Sequence, residues 1–384
     1  MAQWNRVPLI DYIELIGGGT PKTTVHEYWN GNIPWLSVKD FNNDKRYVYS
    51  TEKHISQSGF ENSPTKMLHK DDIIISARGT VGEIAMIPFD MAFNQSCYGI
   101  RASRGIDKPF LYYLLKNCIS QLKRMTHGSV FDTITRDTFA NIEVDIPDAE
   151  TQKRISSVLA DIDNKIEVND AINDNLQQQA AALFSSLYDR TNTEVRFTDL
   201  IQILGGGTPK TGENTYWNGN IAFFTPKDVG TPYTLITEKT ITEEGLSHCN
   251  SRLYPVNTVF VTARGTVGKV GMSGVPMAMN QSCYALVGKE THQLLVYFYT
   301  LKVVDRLKHK ASGAVFDAIT TKDFESEQIM KLSDDDARAF LCIAEPMFQK
   351  VLNNCIENLR LSTLRDSLLP KLMSGEIDVS AVQL

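Results

Sequence analysis

Two arginines, each at the end of an apolar run, lie at positions from which a side chain can bind an anion or a base edge. Arg78 follows the apolar run 72–77 and Arg264 follows the run 258–263, and each begins the sequence Arg-Gly-Thr-Val-Gly. Such a run is typical of a buried strand that ends in a glycine turn. Arginine donates paired hydrogen bonds to guanine and also binds phosphate. Because both stretches keep the arginine, a shared phosphate or structural role is favoured over the reading of two different bases.

Other polar residues recur at matching places. Asn94-Gln95 and Asn280-Gln281 have the amide groups that pair with adenine, although amides that cap a turn would have the same sequence. Lys22 and Lys210 each follow Thr-Pro on a rigid exposed turn, which suits either a phosphate contact or a solvated lysine. The remaining candidates for nucleic-acid contact are Thr20, Lys39, Thr80 and Ser129, and their counterparts Thr208, Lys227, Thr266 and Ser312.

Patterns of the common catalytic sites are missing from the sequence. The stretch 17–23 has Pro21 where a phosphate-binding loop needs glycine before its lysine, which removes a backbone N–H. There is no Pro-Pro as in the catalytic loop of amino-methyltransferases, and no G-x-S-x-G or H-E-x-x-H. His127 has no counterpart in the second stretch and is read as a loop histidine. The six cysteines form no C-x-x-C pair, so neither a zinc site nor a disulfide framework is predicted. We therefore predict a chain that is not itself an enzyme and binds no metal.

The whole chain is duplicated. The sequence GGGTPK at 17–22 returns at 205–210, an offset of 188, and RGTVG at 78–82 returns at 264–268, an offset of 186. NQSCY at 94–98 and VFD at 130–132 also recur in order, so one unit of about 185 residues is used twice.

Each repeat ends in a heptad pattern. Apolar residues and two asparagines follow an unbroken 4-3-4-3 spacing from Ile155 to Leu187. The same spacing returns from Phe340 to Leu372, with Arg365 at one of its positions. A seam asparagine costs stability but fixes register and partner, because only another polar group satisfies its amide. The predicted register residues are Asn169, Asn173, Asn354 and Asn358.

The predicted fold class is α+β. Two similar α/β globular domains, 1–150 and 191–333, are separated by two long antiparallel coiled-coil helices, 151–190 and 334–384 with the tail, in an internal pseudo-two-fold repeat. Shorter helices are expected at 108–124 and 292–309. The net charge of −6 sits mostly in the helical segments, and the domains are near neutral, so weak non-specific DNA affinity is expected. Without a membrane-length apolar stretch or a signal segment, a cytoplasmic location is predicted.

This layout resembles the specificity subunits of Type I restriction-modification systems over essentially the whole chain. The strings that carry the resemblance are GGGTPK with YWNGNI, SARGTVG and TARGTVG, NQS, and LLPKLMSGEI at 368–377. The resemblance implies two target-recognition domains that read a bipartite target in double-stranded DNA. It implies helices that dock two copies of an adenine methyltransferase subunit, joined by motor-nuclease restriction subunits. S-adenosylmethionine, ATP and Mg²⁺ would then belong to the partners, and no cofactor to this chain. A related methylation system without a motor, and a helical scaffold that binds no DNA, remain as alternatives.

Base specificity is expected where the two copies differ within a retained scaffold. The largest difference is the loop 41–50 against 229–236, ten residues against eight, and the second is 57–70 against 243–256. These loops are the predicted readers of sequence.

Overall fold

The computed structural model describes residues 4–125, 133–230, 232–310 and 318–379. Residue contacts divide the chain into two compact units, which are called unit 1 (residues 1–167 with 359–384) and unit 2 (residues 168–358). Each unit therefore contains one globular domain and a part of both long helices. None of the described helices is long and apolar enough to cross a membrane.

The elements of the first repeat alternate short strands with short helices. They are β1 (Asn5–Pro8), β2 (Ile13–Gly17), β3 (Trp29–Leu36), α1 (Val38–Phe41), β4 (Lys53–Ile55), α2 (Gln57–Glu61), β5 (Met67–Leu68), β6 (Ile73–Ser76), β7 (Ile84–Met86), β8 (Met91–Phe93), β9 (Cys97–Ala102), α3 (Lys108–Met125), α4 (Arg136–Ala140), β10 (Glu143–Ile146) and α5 (Ala149–Tyr188).

The elements of the second repeat follow nearly the same order, with the same number of strands among the described residues. They are β11 (Glu194–Arg196), α6 (Phe197–Leu200), β12 (Ile201–Gly205), β13 (Trp217–Phe224), β14 (Tyr233–Thr234), β15 (Lys239–Ile241), α7 (Glu243–Ser247), β16 (Val259–Thr262), β17 (Val270–Ser273), β18 (Met277–Met279), β19 (Cys283–Gly288), α8 (Gln293–Lys310), α9 (Thr321–Glu325), β20 (Gln328–Met330) and α10 (Asp334–Met373). Short 3-10 turns precede β3 and β13.

Each domain contains two main sheets. In unit 1 the strand orders are β2-β9-β6-β7 and β4-β3-β8-β5, and in unit 2 they are β12-β19-β16-β17-β14 and β15-β13-β18. Strands β6 and β16 are buried along their whole length, which explains their continuous apolar sequences. The predicted strands at 72–77 and 258–263 and helices at 108–124 and 292–309 are thus confirmed within one or two residues at each end.

The two long helices run antiparallel within each unit. In unit 1, Arg365 of α10 donates to Asp163 of α5 at 2.8 Å. In unit 2, Asn354 of α10 donates to Asn173 of α5 at 2.8 Å. Also in unit 2, Asn169 of α5 donates to Asn358 of α10, so residue numbers on one helix rise there as those on the other fall. The heptad seam predicted from the sequence is buried or half-buried throughout, as helical pairing requires.

The four predicted register asparagines meet in two pairs inside unit 2. Asn169 Nδ2 donates to Asn358 Oδ1 at 2.8 Å, and Asn354 Nδ2 donates to Asn173 Oδ1 at the same distance. The repeat offset of 185 maps one pair onto the other. Each amide thus finds the polar partner that a seam asparagine needs, while Asn169 Oδ1 and Asn354 Oδ1 are buried without a hydrogen bond.

Candidate DNA-binding cleft

A polar cleft of about 410 Å³ lies at the strand ends of the domain in unit 1. Four of the predicted residues line it: Lys39 on α1, Arg78 and Thr80 in the turn after β6, and Asn94 in the turn after β8. The structure thus brings together side chains from three separate segments, with Lys53 at the start of β4. We call this cavity the polar cleft.

Asp40 fixes the turn that carries Lys39. Its Oδ2 accepts hydrogen bonds from the backbone N–H of Ser37 at 2.7 Å and from the Ser37 hydroxyl at 2.9 Å. Its Oδ1 accepts from the backbone N–H of Glu52 at 2.7 Å. These bonds cap the short helix and join it to the segment that leads into β4. Lys39 itself is exposed, as a residue that binds phosphate must be.

The same arrangement is built in unit 2. Asp228 accepts from the backbone and side chain of Thr225 at 2.7 and 2.6 Å, and from the backbone N–H of Glu238 at 2.8 Å. Lys227 is exposed here too, and its Nζ lies 3.6 Å from Glu238. The two turns therefore present a lysine in the same way, and the unit 2 lysine has an acidic neighbour.

The arginine turns are held by a buried hydroxyl. Ser76 donates to the carbonyl of Thr80 at 2.5 Å and accepts from the N–H of Glu83 at 2.8 Å. Gly79 adopts a φ of +80°, which a residue with a Cβ rarely does. Arg78 also forms a backbone bridge with Thr133, which holds the turn from its other side, and its side chain is exposed.

The turn in unit 2 repeats this construction. Thr262 donates to the carbonyl of Thr266 and accepts from the N–H of Lys269 at 2.9 Å, and Arg264 bridges Ala318. In addition, the Thr266 hydroxyl donates to the carbonyl of Pro226 at 3.2 Å, which joins the arginine turn to the lysine turn. Both arginines are therefore held on rigid supports, as the sequence predicts.

Asn94 and Asn280 have a structural role in their turns. Asn94 Oδ1 accepts from the N–H of Ser96 at 3.1 Å, and Asn280 Oδ1 accepts from Ser282 at 3.0 Å. These are the turn-capping bonds that were the alternative to adenine recognition. Both bonds use the side-chain oxygen and leave the amide nitrogen out. The nitrogen of Asn94 can therefore contact a ligand in the polar cleft.

Thr20 and Gln95 form a pair of their own. The Thr20 hydroxyl donates to Gln95 Oε1, and Thr208 donates to Gln281 in the same way. Gln95 is exposed, yet neither it nor Thr20 lines the polar cleft. The structure thus places these predicted residues together, beside the glycine segment at 17–19.

The lysines after Thr-Pro are exposed but lie outside the polar cleft. The carbonyl of Lys22 accepts from Trp29 Nε1 at 3.3 Å, and that of Lys210 accepts from Trp217 Nε1 at 3.2 Å. Trp29 contacts Trp35 edge to face with ring centroids 5.2 Å apart. The tryptophans therefore anchor the turn.

The glycines at 17–19 and 205–207 serve close backbone packing within the protein. A Cβ on Gly18 would collide with the carbonyl oxygen of Asn94, and one on Gly206 with that of Asn280. By contrast, a Cβ on Gly17 or Gly205 would meet no atom within 4 Å. A Cβ on Gly19 or Gly207 would also collide with backbone atoms, of Thr65 and Asn250 respectively, so the fold requires the second and third glycines of each segment but not the first.

The long loop of unit 1 points two of its charged side chains toward the helices. Asn42 lines the polar cleft, but Asp44 bonds to Lys116 and Arg365, and Arg46 bonds to Asn164 of α5. Of the residues 42–46 of this loop, whose length differs between the copies, Asn42 thus lines the polar cleft. Its counterpart by sequence is Gly230.

Sequence reasoning missed Lys53 and its counterpart Lys239. Lys53 lines the cleft, and its Nζ lies 5.7 Å from the centre of the Trp29 ring, while Lys239 lies 5.6 Å from that of Trp217. The signal was available, because Thr-Glu-Lys occurs at 51–53 and again at 237–239. Ser129 and Ser312 lie outside the described residues, as does His127. No group of three potential metal ligands occurs among the residues that are described.

Comparison with known proteins agrees with the resemblance. The sequence model for the Type I restriction modification DNA specificity domain matches residues 1–178 and 190–331. Since these two matches cover most of the chain, it belongs to the family of Type I restriction-modification specificity proteins.

The chain is similar to specificity subunits of other organisms over most of its length. The chain is 24% identical to the Type I restriction enzyme MjaIX specificity subunit of Methanocaldococcus jannaschii, over 98% of this chain and 94% of that protein. It is 24% identical to the HindI specificity subunit of Haemophilus influenzae, over 70% and 77%. The crystal structure of a Type I system S subunit from M. genitalium aligns over 97% of this chain and 96% of that one, with a TM-score of 0.57 and 15% identity, so the fold is shared.

Proposed function

We propose that each unit reads one half of a bipartite double-stranded DNA target, and that the chain directs adenine methylation and restriction by partner subunits. The observation that carries this proposal is the duplicated set of polar turns, which in unit 1 line the polar cleft. Arg78, Lys39 and Asn94 recur as Arg264, Lys227 and Asn280 on turns held by the same hydrogen bonds.

The residues in the cleft suit a DNA backbone with a base edge beside it. Exposed arginine and lysine neutralise phosphates, and arginine and asparagine are the side chains that pair with guanine and adenine. Because the polar turns of both units have the same basic residues, phosphate positioning is assigned to these residues. Asn42 differs from its counterpart Gly230, so base discrimination is assigned to this position.

The partners supply the chemistry in this proposal. Two copies of an adenine methyltransferase subunit bind the chain and carry S-adenosylmethionine, and motor-nuclease restriction subunits use ATP and Mg²⁺. The paired asparagines Asn169, Asn173, Asn354 and Asn358 fix the register of the helices. The chain itself has no catalytic residue and works in the cytoplasm.

Reconstitution tests the proposal. The purified chain alone should transfer no methyl group from labelled S-adenosylmethionine to DNA. The chain with its methyltransferase subunit should methylate one defined two-part motif, and the methyltransferase subunit alone should not. Methyl transfer by the chain alone, or the same motif without the chain, would contradict the proposal. A complex that methylates but never restricts, even with every encoded partner, would indicate a related system that lacks the motor.

A further inference from the structure

The two units differ in one loop between fixed points. Five residues, 42–46, connect Phe41 to Tyr47 in unit 1, and three, 230–232, connect Val229 to Tyr233 in unit 2. The tyrosines are equivalent, because Tyr47 bridges Met86 and Tyr233 pairs with Met272 at the repeat offset of 186. The two extra residues in unit 1 must therefore extend away from the sheet.

The extra length in unit 1 is used to contact helices. Asp44 Oδ1 accepts from Lys116 Nζ of α3 at 2.7 Å, and its Oδ2 accepts from Arg365 of α10 at 2.8 Å. Arg46 bonds to the side chain of Asn164 on α5 and lies 3.5 Å from Glu167. A carboxylate-bearing segment of polypeptide is thus held between α3 and the helix pair.

The anchors of that segment are absent from unit 2. At the offset of 185, Lys116 is replaced by Leu301 and Arg365 by Ala180. The shorter loop is also tied to its own strand, since the N–H of Gly230 donates to the Thr234 hydroxyl at 2.8 Å. The corresponding place in unit 2 therefore lacks both the loop residues that fill it in unit 1 and their charged partners.

A cleft of about 580 Å³ lies beside Leu301, the counterpart of the loop anchor Lys116, between α8, the end of α5 and the turn before β17. Its floor is apolar, with Phe184, Phe298 and Leu301, and the two phenylalanine rings stack with centroids 5.0 Å apart. Its rim has three lysines and one acidic residue: Lys269, Lys302, Lys308 and Asp305. We call it the lysine-rimmed cleft.

The chemistry of this cleft fits an acidic side chain next to an apolar one. The lysines give the rim a net positive charge, and an apolar side chain on the floor would be removed from water. A duplex phosphate would meet the lysines but leave the aromatic floor uncovered. In unit 1 the counterpart of Leu301, Lys116, binds the side-chain carboxylate of Asp44. This favours a polypeptide over DNA as the occupant of the cleft.

We propose that the lysine-rimmed cleft docks an acidic segment of the methyltransferase subunit, beside the helix position at which Lys116 holds the loop 42–46 in unit 1. This inference rests on the proposed function for the identity of the partner. It follows that unit 2 holds this segment and that unit 1, whose place is filled by its own loop, does not.

Photo-crosslinking in the assembled complex tests the proposal directly. A benzoylphenylalanine replaces Leu301 in the full chain, and a matched variant has it at Lys116 in unit 1. After irradiation with the purified methyltransferase subunit and target DNA, position 301 should crosslink to a partner peptide that contains Asp or Glu. Position 116 should give no crosslink to the partner.

Charge reversal gives an independent readout. Lys269→Glu with Lys308→Glu, both at exposed positions, should weaken binding of the methyltransferase subunit roughly two- to tenfold. The control Lys289→Glu with Lys322→Glu reverses two exposed lysines of unit 2 that do not line the cleft, and should leave binding unchanged. Thermal unfolding of both variants verifies that they fold.

The outcomes separate the two proposals. If the complex assembles and methylates DNA but position 301 crosslinks to DNA or to nothing, or if the two charge reversals act alike, the docking site is wrong and the proposed function stands. If no complex forms with the unaltered chain, the proposed function is wrong and the docking site fails with it.

Discussion

The two units are alike at their polar turns and different where they meet the long helices. In unit 1, Arg365 lies buried between Asp163 and Asp44, at 2.8 Å from each carboxylate. In unit 2 the positions equivalent to Asp163 and Arg365 are Phe348 and Ala180, within an aromatic cluster. The lysine and arginine turns, by contrast, keep their residues and hydrogen bonds. The retained features thus face the proposed ligand, and the divergent ones solve the separate problem of packing each domain on its helices.

The largest effect expected from this difference is at Arg365. Arg365→Ala leaves Asp163, which is 3% exposed, without its cationic partner and should cost about 3–5 kcal/mol of unfolding free energy. The triple variant Asp163→Phe, Arg365→Ala, Tyr113→Phe gives unit 1 the residues of unit 2, because Tyr113 also bonds to Asp163 at 2.6 Å and corresponds to Phe298. In urea unfolding, the triple variant should regain more than half of the unfolding free energy that Arg365→Ala loses. If the triple variant is no more stable than Arg365→Ala, an apolar contact does not replace the ion pair.

The middle glycines should matter equally in both units. Gly18→Ala and Gly206→Ala push a Cβ into the backbone of Asn94 and Asn280, and each should lower stability by about 1–3 kcal/mol. Gly17→Ala and Gly205→Ala are the matched controls, since a Cβ there meets nothing within 4 Å. Thermal unfolding compares the four variants. An equal loss at Gly17 and Gly18 would show that close packing is not the reason for the glycine.

Breaking a pair of buried amides in unit 2 should cost less unfolding free energy than breaking the buried charge pair of unit 1. Asn354→Leu leaves the side-chain oxygen Oδ1 of Asn173 without a hydrogen bond and should lower the free energy of unfolding by about 1–3 kcal/mol. The pair Asn173→Leu with Asn354→Leu removes both amides and should be near neutral in urea unfolding. A pair variant that is as unstable as the single one would mean that the asparagines contribute stability rather than register.

The polar turns should respond alike to loss of their arginine. Arg78→Ala and Arg264→Ala should each weaken binding of the assembled complex to its target by about tenfold. A phosphate contact predicts, in addition, that the slope of log affinity against log salt decreases by about one in each variant. Fluorescence anisotropy at several salt concentrations measures both quantities. An unchanged slope with altered base preference would assign the arginines to base reading.

The sequence predicted the repeat, the strands that end at the two arginines, and the helical seam, because all three are periodic or repeated patterns. It predicted the long loop 41–50 as a reader of bases, whereas the structure directs Asp44 and Arg46 to the helices. Nothing local in the loop shows this, since the partners Lys116 and Arg365 are far away in the chain. The seam position of Arg365 was visible, but its carboxylate partners were not, for the same reason.

The most direct test of the account is the methylome of cells that carry single-unit variants of the chain with its methyltransferase subunit. The account predicts that Asn42→Gly with Arg78→Ala makes one half of the two-part motif more degenerate or less completely methylated, with the other half and the spacer unchanged. Arg264→Ala should lower the extent of methylation at the motif without making either half more degenerate, since a phosphate contact carries no sequence information. If the first variant changes both halves, or if neither variant changes the motif or its occupancy, the two units do not each read one half of the target.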